Sequence, residues 1–187
     1  YCKRDVEIIK EFMMRFVDFI EQNDLGSLQK TLASQAFSAF RHRFMRHSIF
    51  VHNNVEVIEL ERESYRGGRT EAFYIGRLPQ GKYYKLDVNS MYPYVMRERV
   101  YPTKLIRLEK NPTISGLKRA LQRFFVIAHL RVRVDKPIVA VKTERLIFPV
   151  GEFDCVITSP EIELVLKHGE IVKVYKYAIY EQHRIFV

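Results

Sequence analysis

The sequence predicts an α+β fold in which N-terminal helices are followed by a mixed, mainly antiparallel sheet with short helices. Three observations lead there. Apolar residues recur at helical spacing through roughly the first fifty positions, short β-prone runs begin at Val55, and the two patterns follow one another instead of alternating. A boundary is expected near residues 47–55. With 187 residues and 47% hydrophobic content, the chain has enough apolar material for a real core, which argues against disorder.

Taken in order, Val6, Ile9, Met13, Phe16, Val17 and Ile20 mark an amphipathic helix over about Arg4–Gln22, stopped near Gly26. Ala33, Phe37, Phe40 and Phe44 give a second helix its apolar stripe. Arg41, His42, Arg43, Arg46 and His47 cluster on its other faces, as a solvated helix surface or as phosphate contacts. Strands are expected at Val55–Glu61, Ala72–Leu78, Tyr83–Val88, Phe125–Val134, Ile138–Lys142 and Ile171–Tyr180. Within Phe125–Val134, Leu130, Val132 and Val134 alternate with His129, Arg131 and Arg133, the pattern of a strand with one buried face. Short helices are expected at Tyr94–Arg99 and Leu117–Arg123. Another should start at Ser159-Pro160-Glu161 and stop at Gly169.

Thirty-one basic against 22 acidic residues give a net charge of +9, which suits a polyanionic partner such as nucleic acid. Cys2 and Cys155 lie far apart and make neither a disulfide framework nor a metal cluster, which fits a reducing, intracellular setting. No apolar run approaches membrane-spanning length and no signal peptide is recognisable. The chain opens at Tyr1 directly into helical periodicity and stops at Ile185-Phe186-Val187, so it is expected to be a piece of a longer protein.

Three short stretches carry chemistry. In Asp87-Val88-Asn89-Ser90-Met91-Tyr92-Pro93, period-2 patterning sets Tyr84, Leu86 and Val88 on one face and turns Asp87 outward at a strand end; Pro93 marks a bend. A carboxylate, backbone amides and an aromatic wall are what a metal-bound nucleoside triphosphate needs, although an Asp before a turn also serves as a solvated cap. Some twenty residues earlier, Tyr65-Arg66-Gly67-Gly68-Arg69 joins two glycines, which allow close backbone approach, to a tyrosine and arginines able to stack on bases and pair with phosphates. At the start, Tyr1 and Asp5 stand four apart, so on a helix a phenol and a carboxylate share one face and could hold one metal-bound water; Asp5 could equally cap the helix.

The order Tyr-x-x-x-Asp, Tyr-x-Gly-Gly, Asp-x-x-Ser-x-Tyr-Pro resembles that of the protein-primed family B DNA polymerases (type B, organellar and viral), found in phages, adenoviruses and linear plasmids. The resemblance spans most of the chain, with sharp motifs over some seventeen residues. It implies exonuclease helices at 1–50, a linker with the Tyr-Arg-Gly-Gly element at 51–82, the first part of a polymerase palm sheet at 83–141, and at 142–187 the insertion that contacts the priming protein. Asp87, in motif A, would ligate two Mg²⁺ ions (or Mn²⁺) with help from the Val88 carbonyl. Asn89, Ser90 and Met91 would face the triphosphate, and Tyr92 would lie under the deoxyribose and exclude ribonucleotides. Tyr65, Arg66, Gly67, Gly68 and Arg69 would contact the template, while Asp5 and Tyr1 would belong to a 3′–5′ exonuclease site.

The implied partners are a DNA template-primer, deoxynucleoside triphosphates and a terminal priming protein, with no membrane. The compartment would be cytoplasmic, or mitochondrial for a plasmid-borne enzyme. The sequence lacks the Tyr-x-Asp-Thr-Asp motif, the fingers lysine and two upstream exonuclease motifs, so this stretch alone is expected to be inactive. A non-catalytic DNA-binding module and a nuclease fragment are the alternative readings.

Overall fold

The computed structural model describes residues 2–186. These divide into two compact units, one comprising 2–48, 95–99 and 184–186, the other 49–94 and 100–183.

In the first unit, α1 (Cys2–Gln22) follows the expected periodicity, with Asp5 in its first turn, where a carboxylate complements the helix dipole. Exposed pairs Arg4–Glu7 (3.7 Å) and Glu11–Arg15 (2.6 Å) line its surface, but of its apolar residues only Ile20 is buried. The turn that follows places Asp24 (φ +51°) and Gly26 (φ +77°) in the left-handed region. There a Cβ on Gly26 would also press to 3.0 Å from Ser38 Oγ. Helix α2 (Leu32–Ala39) is capped by Thr31, whose hydroxyl accepts from the Ser34 amide while Ser34 returns the bond. A π-helical turn at Phe40–Phe44 continues it, Met45 N donating to Phe40 O at 2.8 Å. Part of the basic cluster is tied back locally. His42 bonds Asp24 at 2.8 Å, Arg43 donates to the Asn23 carbonyl, and the Arg41 guanidinium lies 5.8 Å from the centre of the Phe37 ring.

The second unit is built on four antiparallel strands: β1 (Tyr101–Glu109), β2 (Phe125–Val134), β5 (Gly151–Thr158) and β6 (Gly169–His183), in the order β1-β6-β2-β5. A two-stranded hairpin, β3 (Val141–Lys142) with β4 (Leu146–Ile147), stands apart from it. On one face, Ala128, Leu130, Val132 and Val134 of β2 pack with Ile157, Val174 and Tyr177 against α5 (Ile114–Leu121) and α6 (Ser159–His168). The expected alternation in β2 is realised, with Leu130 and Val132 fully buried. Ser159 Oγ accepts from Val126 N at 2.7 Å, and Thr158 with Glu161 forms a capping box, so α6 is pinned where β5 ends. On the other face, α3 (Val55–Ser64) lays Val57 and Leu60 on Phe125, Ile127, Val156, Ala178 and Tyr180. Gly169 starts β6 hard against β2, since a Cβ there would lie 2.6 Å from the Arg133 carbonyl oxygen.

Several expected elements are corrected. Val55–Glu61 is the helix α3, not a strand. Its β-branched residues suggested a sheet, but Asn54 accepts from Val57 N (3.2 Å) as an N-cap, and the i, i+3 pair Val57 and Leu60 is what becomes buried. Ala72–Leu78 and Tyr83–Val88 have no regular structure; Tyr84 is 82% and Leu86 89% exposed. Alternation marks only an extended chain, and neither segment pairs with a strand among the described residues. Asp87 therefore does not stand at a strand end. Of Ile138–Lys142 only Val141–Lys142 is strand, and β1, with Pro102 at its edge position, and β5 were not expected.

The part of the sheet face beyond α3 is wet and charged. Asp154 takes both Nε and Nη2 of Arg131 (2.8 and 2.9 Å) and the Tyr175 hydroxyl (3.0 Å), and Arg133 bridges Glu152 and Glu170. The Arg131 guanidinium, helped by the Tyr175 hydroxyl, holds Asp154 at about 2, against an ordinary 3.8. A carboxyl lowered on folding contributes stability that is complete above its unfolded pKa and disappears as pH falls through the folded one. Asp154→Asn is accordingly expected to lower the thermal midpoint at pH 7 by roughly 1–4 °C, since the pair is half exposed. That gap should close as pH falls from about 4 towards 2, and a gap independent of pH would remove the ion pair as its source. Burial pushes the Cys155 thiol up to about 12, which leaves it chemically quiet, while Cys2 is exposed.

Candidate functional site

The stretch around Asp87 is a turn entering a helix. Met91 N donates to Val88 O at 3.3 Å, Ser90 sits at φ +55°, and Tyr94 N donates to Ser90 O at 3.0 Å as α4 (Met91–Glu98) begins. Pro93 falls in the first turn of α4, where its missing N–H is no loss. The left-handed residue at the corner is a serine and not a glycine, so the corner carries strain of order 1 kcal/mol or more, held by the closing bonds on either side. Asp87 is exposed, and Tyr92 projects from the first turn of α4 with 70% of its surface free.

The Tyr65–Arg69 loop leaves the C-terminus of α3; Arg66 turns inward, while Arg69 stays exposed and lies along the surface. Arg66 donates through Nε to Ser64 O (3.3 Å) and through its two terminal nitrogens to the carbonyls of Ala140 and Val156. Its guanidinium also lies 3.7 Å from the Glu161 carboxylate, and the side chain is only 10% exposed. Arg69 donates to Pro137 O (2.8 Å), stacks 4.3 Å from the centre of the Phe148 ring and pairs with Glu71 at 2.8 Å. Base stacking and phosphate pairing by these arginines were the expectation; long-range protein acceptors engage both. Tyr65 remains outward, 76% exposed.

Neither Gly67 nor Gly68 has a positive φ, and a Cβ on Gly67 would meet nothing within 4 Å. A Cβ on Gly68 would lie 3.6 Å from the Tyr92 hydroxyl. The structure thus brings together two of the three stretches singled out in the sequence, the glycine loop and the Tyr92 turn. Asp5 lies exposed in α1, within the other compact unit, and Tyr1 falls outside the described residues.

Among the described residues no three His, Cys, Asp or Glu side chains gather as a metal site. The Asp87 carboxylate and the Val88 carbonyl are hard oxygen donors of the kind Mg²⁺ takes, and the two together would fill about two of its six positions. Also among the described residues, no helix is long and apolar enough to cross a membrane.

Two features were missed in the sequence: the β3–β4 hairpin, whose Lys142 and Arg145 stand beside the glycine loop, and the charged face at Arg131, Asp154 and Tyr175. Val141-Lys142 and Leu146-Ile147 around a three-residue turn was a readable signal for the first. The second depended on register across three strands.

The chain is similar to the "Probable DNA polymerase" of Neurospora intermedia, 24% identical over 202 residues, covering the whole of this chain and 20% of that protein. It therefore spans about a fifth of that relative's length. Its fold is similar to that of Phi29 DNA polymerase in an orthorhombic crystal form, with a TM-score of 0.57 and 15% identity, over 92% of this chain and 32% of that one. The family model for DNA polymerase type B, organellar and viral, matches residues 1–186. On that match, the chain belongs to the organellar and viral type B DNA polymerases.

Proposed function

We propose that this chain is the part of a protein-primed DNA polymerase that binds the incoming nucleotide and the template, within a two-metal nucleotidyl transferase. The observation that carries the reading is the approach of the glycine loop to the Tyr92 hydroxyl, 3.6 Å from a Cβ on Gly68, which would put a template contact beside a sugar contact. Asp87 and the Val88 carbonyl contribute oxygen ligands for Mg²⁺, with Mn²⁺ as substitute. A divalent cation bound there neutralises charge on the triphosphate. The backbone of Asn89, Ser90 and Met91 faces the phosphates, and the Tyr92 ring sits against the deoxyribose, where a 2′-hydroxyl would clash. Tyr65 and the backbone of Gly67 and Gly68 receive the template strand.

Asp5 and Tyr1 serve a separate 3′–5′ exonuclease site, and residues 142–187 meet the terminal priming protein. Taken alone the chain binds without turnover, because its single motif A carboxylate lacks the partner that two-metal chemistry requires. The net charge of +9 favours, as a second reading, a DNA-binding module with no catalysis, whose binding would depend on salt but not on Mg²⁺.

Tyr92→Val tests the central claim. In a full-length polymerase carrying this sequence, discrimination against ribonucleotides should fall on the order of a hundredfold, while deoxynucleotide kcat/KM changes little. Unchanged sugar discrimination would remove Tyr92 from the nucleotide site and leave the module reading as the better one.

A further inference from the structure

On the α5 side of the sheet, the edge strand β1 leaves a pocket. Glu109 lies opposite Tyr177 and Arg107 opposite Ile179 in the β1–β6 register, and opposed residues of antiparallel strands share a face, so these four side chains stand together. They meet the first turns of α5 around a volume of about 350 Å³, to which Thr113, Gly116 and Arg119 also contribute. Tyr177 forms its floor. The residue is 4% exposed and its ring belongs to the core, while its hydroxyl bonds to no described residue and is turned into the pocket. A Cβ on Gly116 would lie 3.2 Å from that hydroxyl, so glycine at this position keeps the space above it open. Burial, and after it the Glu109 carboxylate, raise the Tyr177 hydroxyl above the ordinary phenol range against the opposing pull of Arg107 and Arg119, so at neutral pH it is a donor.

A buried hydroxyl with no acceptor costs stability that a phenylalanine would spare, and an acceptor arriving from outside the chain accounts for it. The charges say what that acceptor is. Arg119 is exposed and pairs with no described carboxylate, and Arg107 stands 3.6 Å from Glu109, so the pocket keeps a net positive charge. The positive end of the α5 dipole adds to that field, although Thr113 already takes the Gly116 amide at 3.0 Å. Two guanidinium forks and one hydroxyl give donors from three directions, which suits the three free oxygens of a phosphate monoester. We propose that this pocket binds the phosphoryl group of a small phosphate monoester, with the Tyr177 hydroxyl and the Arg119 guanidinium as its donors and Arg107 as the second cation. A phosphodiester within a strand has two free oxygens and chain leaving on both sides, so it does not enter end-on as far as the floor. Phe124 and Ile179 give the organic part of the ligand an apolar wall. The pocket shares no residue with the Asp87–Tyr92 turn or the Tyr65–Arg69 loop, so its fate and that of the polymerase reading are decided separately.

The test is an NMR titration of the ¹⁵N-labelled 187-residue chain with phenyl phosphate, free of divalent cations, following the Gly116 amide. Saturable one-to-one binding is expected, with a Kd on the order of a millimolar or tighter, and phenol, which lacks the phosphoryl group, should leave the signal in place. Tyr177→Phe should weaken binding at least about tenfold without lowering the melting temperature, because the hydroxyl it removes has no partner in the chain. A tyrosine with a purely structural role would show the reverse. Arg119→Gln, at an exposed position, should weaken binding by a similar factor, and Glu109→Gln should tighten it about threefold by removing the opposing carboxylate. If Tyr177→Phe and Arg119→Gln both bind as wild type does, or if phenol shifts Gly116 equally, the proposal falls. Displacement of phenyl phosphate by an equimolar single-stranded oligonucleotide with hydroxyl ends would also overturn it, by making the pocket a nucleic-acid contact.

Discussion

Asp87→Ala in a full-length polymerase carrying this sequence is expected to lower nucleotide incorporation by about a thousandfold or more, while single-strand exonuclease activity persists. The magnitude follows from the role proposed for the carboxylate. Removing one group that stabilises the reacting phosphates typically costs two to three powers of ten, and a metal ligand contributes to positioning as well as to charge. The loss should appear in kcat and kcat/KM together, because the interaction matters most where charge develops. Asp87 is exposed in an irregular segment, so the substitution should leave stability within about 0.5 kcal/mol, and loss of activity could not be ascribed to unfolding. Incorporation at an undiminished rate would show that the motif A carboxylate has been misassigned.

The second large effect concerns the fold. Arg66→Met should destabilise the chain by about 3 kcal/mol, read as a lower urea midpoint at an unchanged m value. The guanidinium is nearly buried and satisfies carbonyls of Ala140 and Val156, while facing Glu161, which in turn caps α6. A thioether fills much of the same volume but donates nothing, so acceptors that had exchanged water for protein are left without either. At temperatures where the variant remains folded, the dependence of single-stranded DNA binding on salt should match that of wild type. A stable variant with a weakened dependence would reverse the assignment and make Arg66 a phosphate contact.

These two residues illustrate what could be read from the sequence and what could not. Asp87 and Tyr92 stand out because their motif is local, four specified residues within seven, and α1, β2 and β6 stand out because periodicity over ten or more residues is a local property too. The inward turn of Arg66 was not legible, since its acceptors lie 74 and 90 residues away. Likewise the approach of Gly68 to Tyr92 depends on how an irregular segment returns, which no spacing encodes. Val55–Glu61 was misread because valine and isoleucine favour strands only when a neighbouring strand is available, whereas an asparagine cap and two apolar positions three apart suffice for a helix lying on a sheet. Tyr83–Val88 failed for the complementary reason. Its alternation is genuine, but no described strand pairs with it.

The strand order has a bearing on how the chain is made. Strand β6 lies between β1 and β2, so β1 must wait some seventy residues of synthesis for its hydrogen-bonding neighbour, and until then β2 is flanked by β5 alone. A nascent chain that has emerged only as far as α6 exposes one ribbon of β2 and β5 with an open edge, together with an orphan β1. The last fifteen-residue strand closes both gaps at once, making sheet assembly a late, long-range and comparatively slow event on the ribosome.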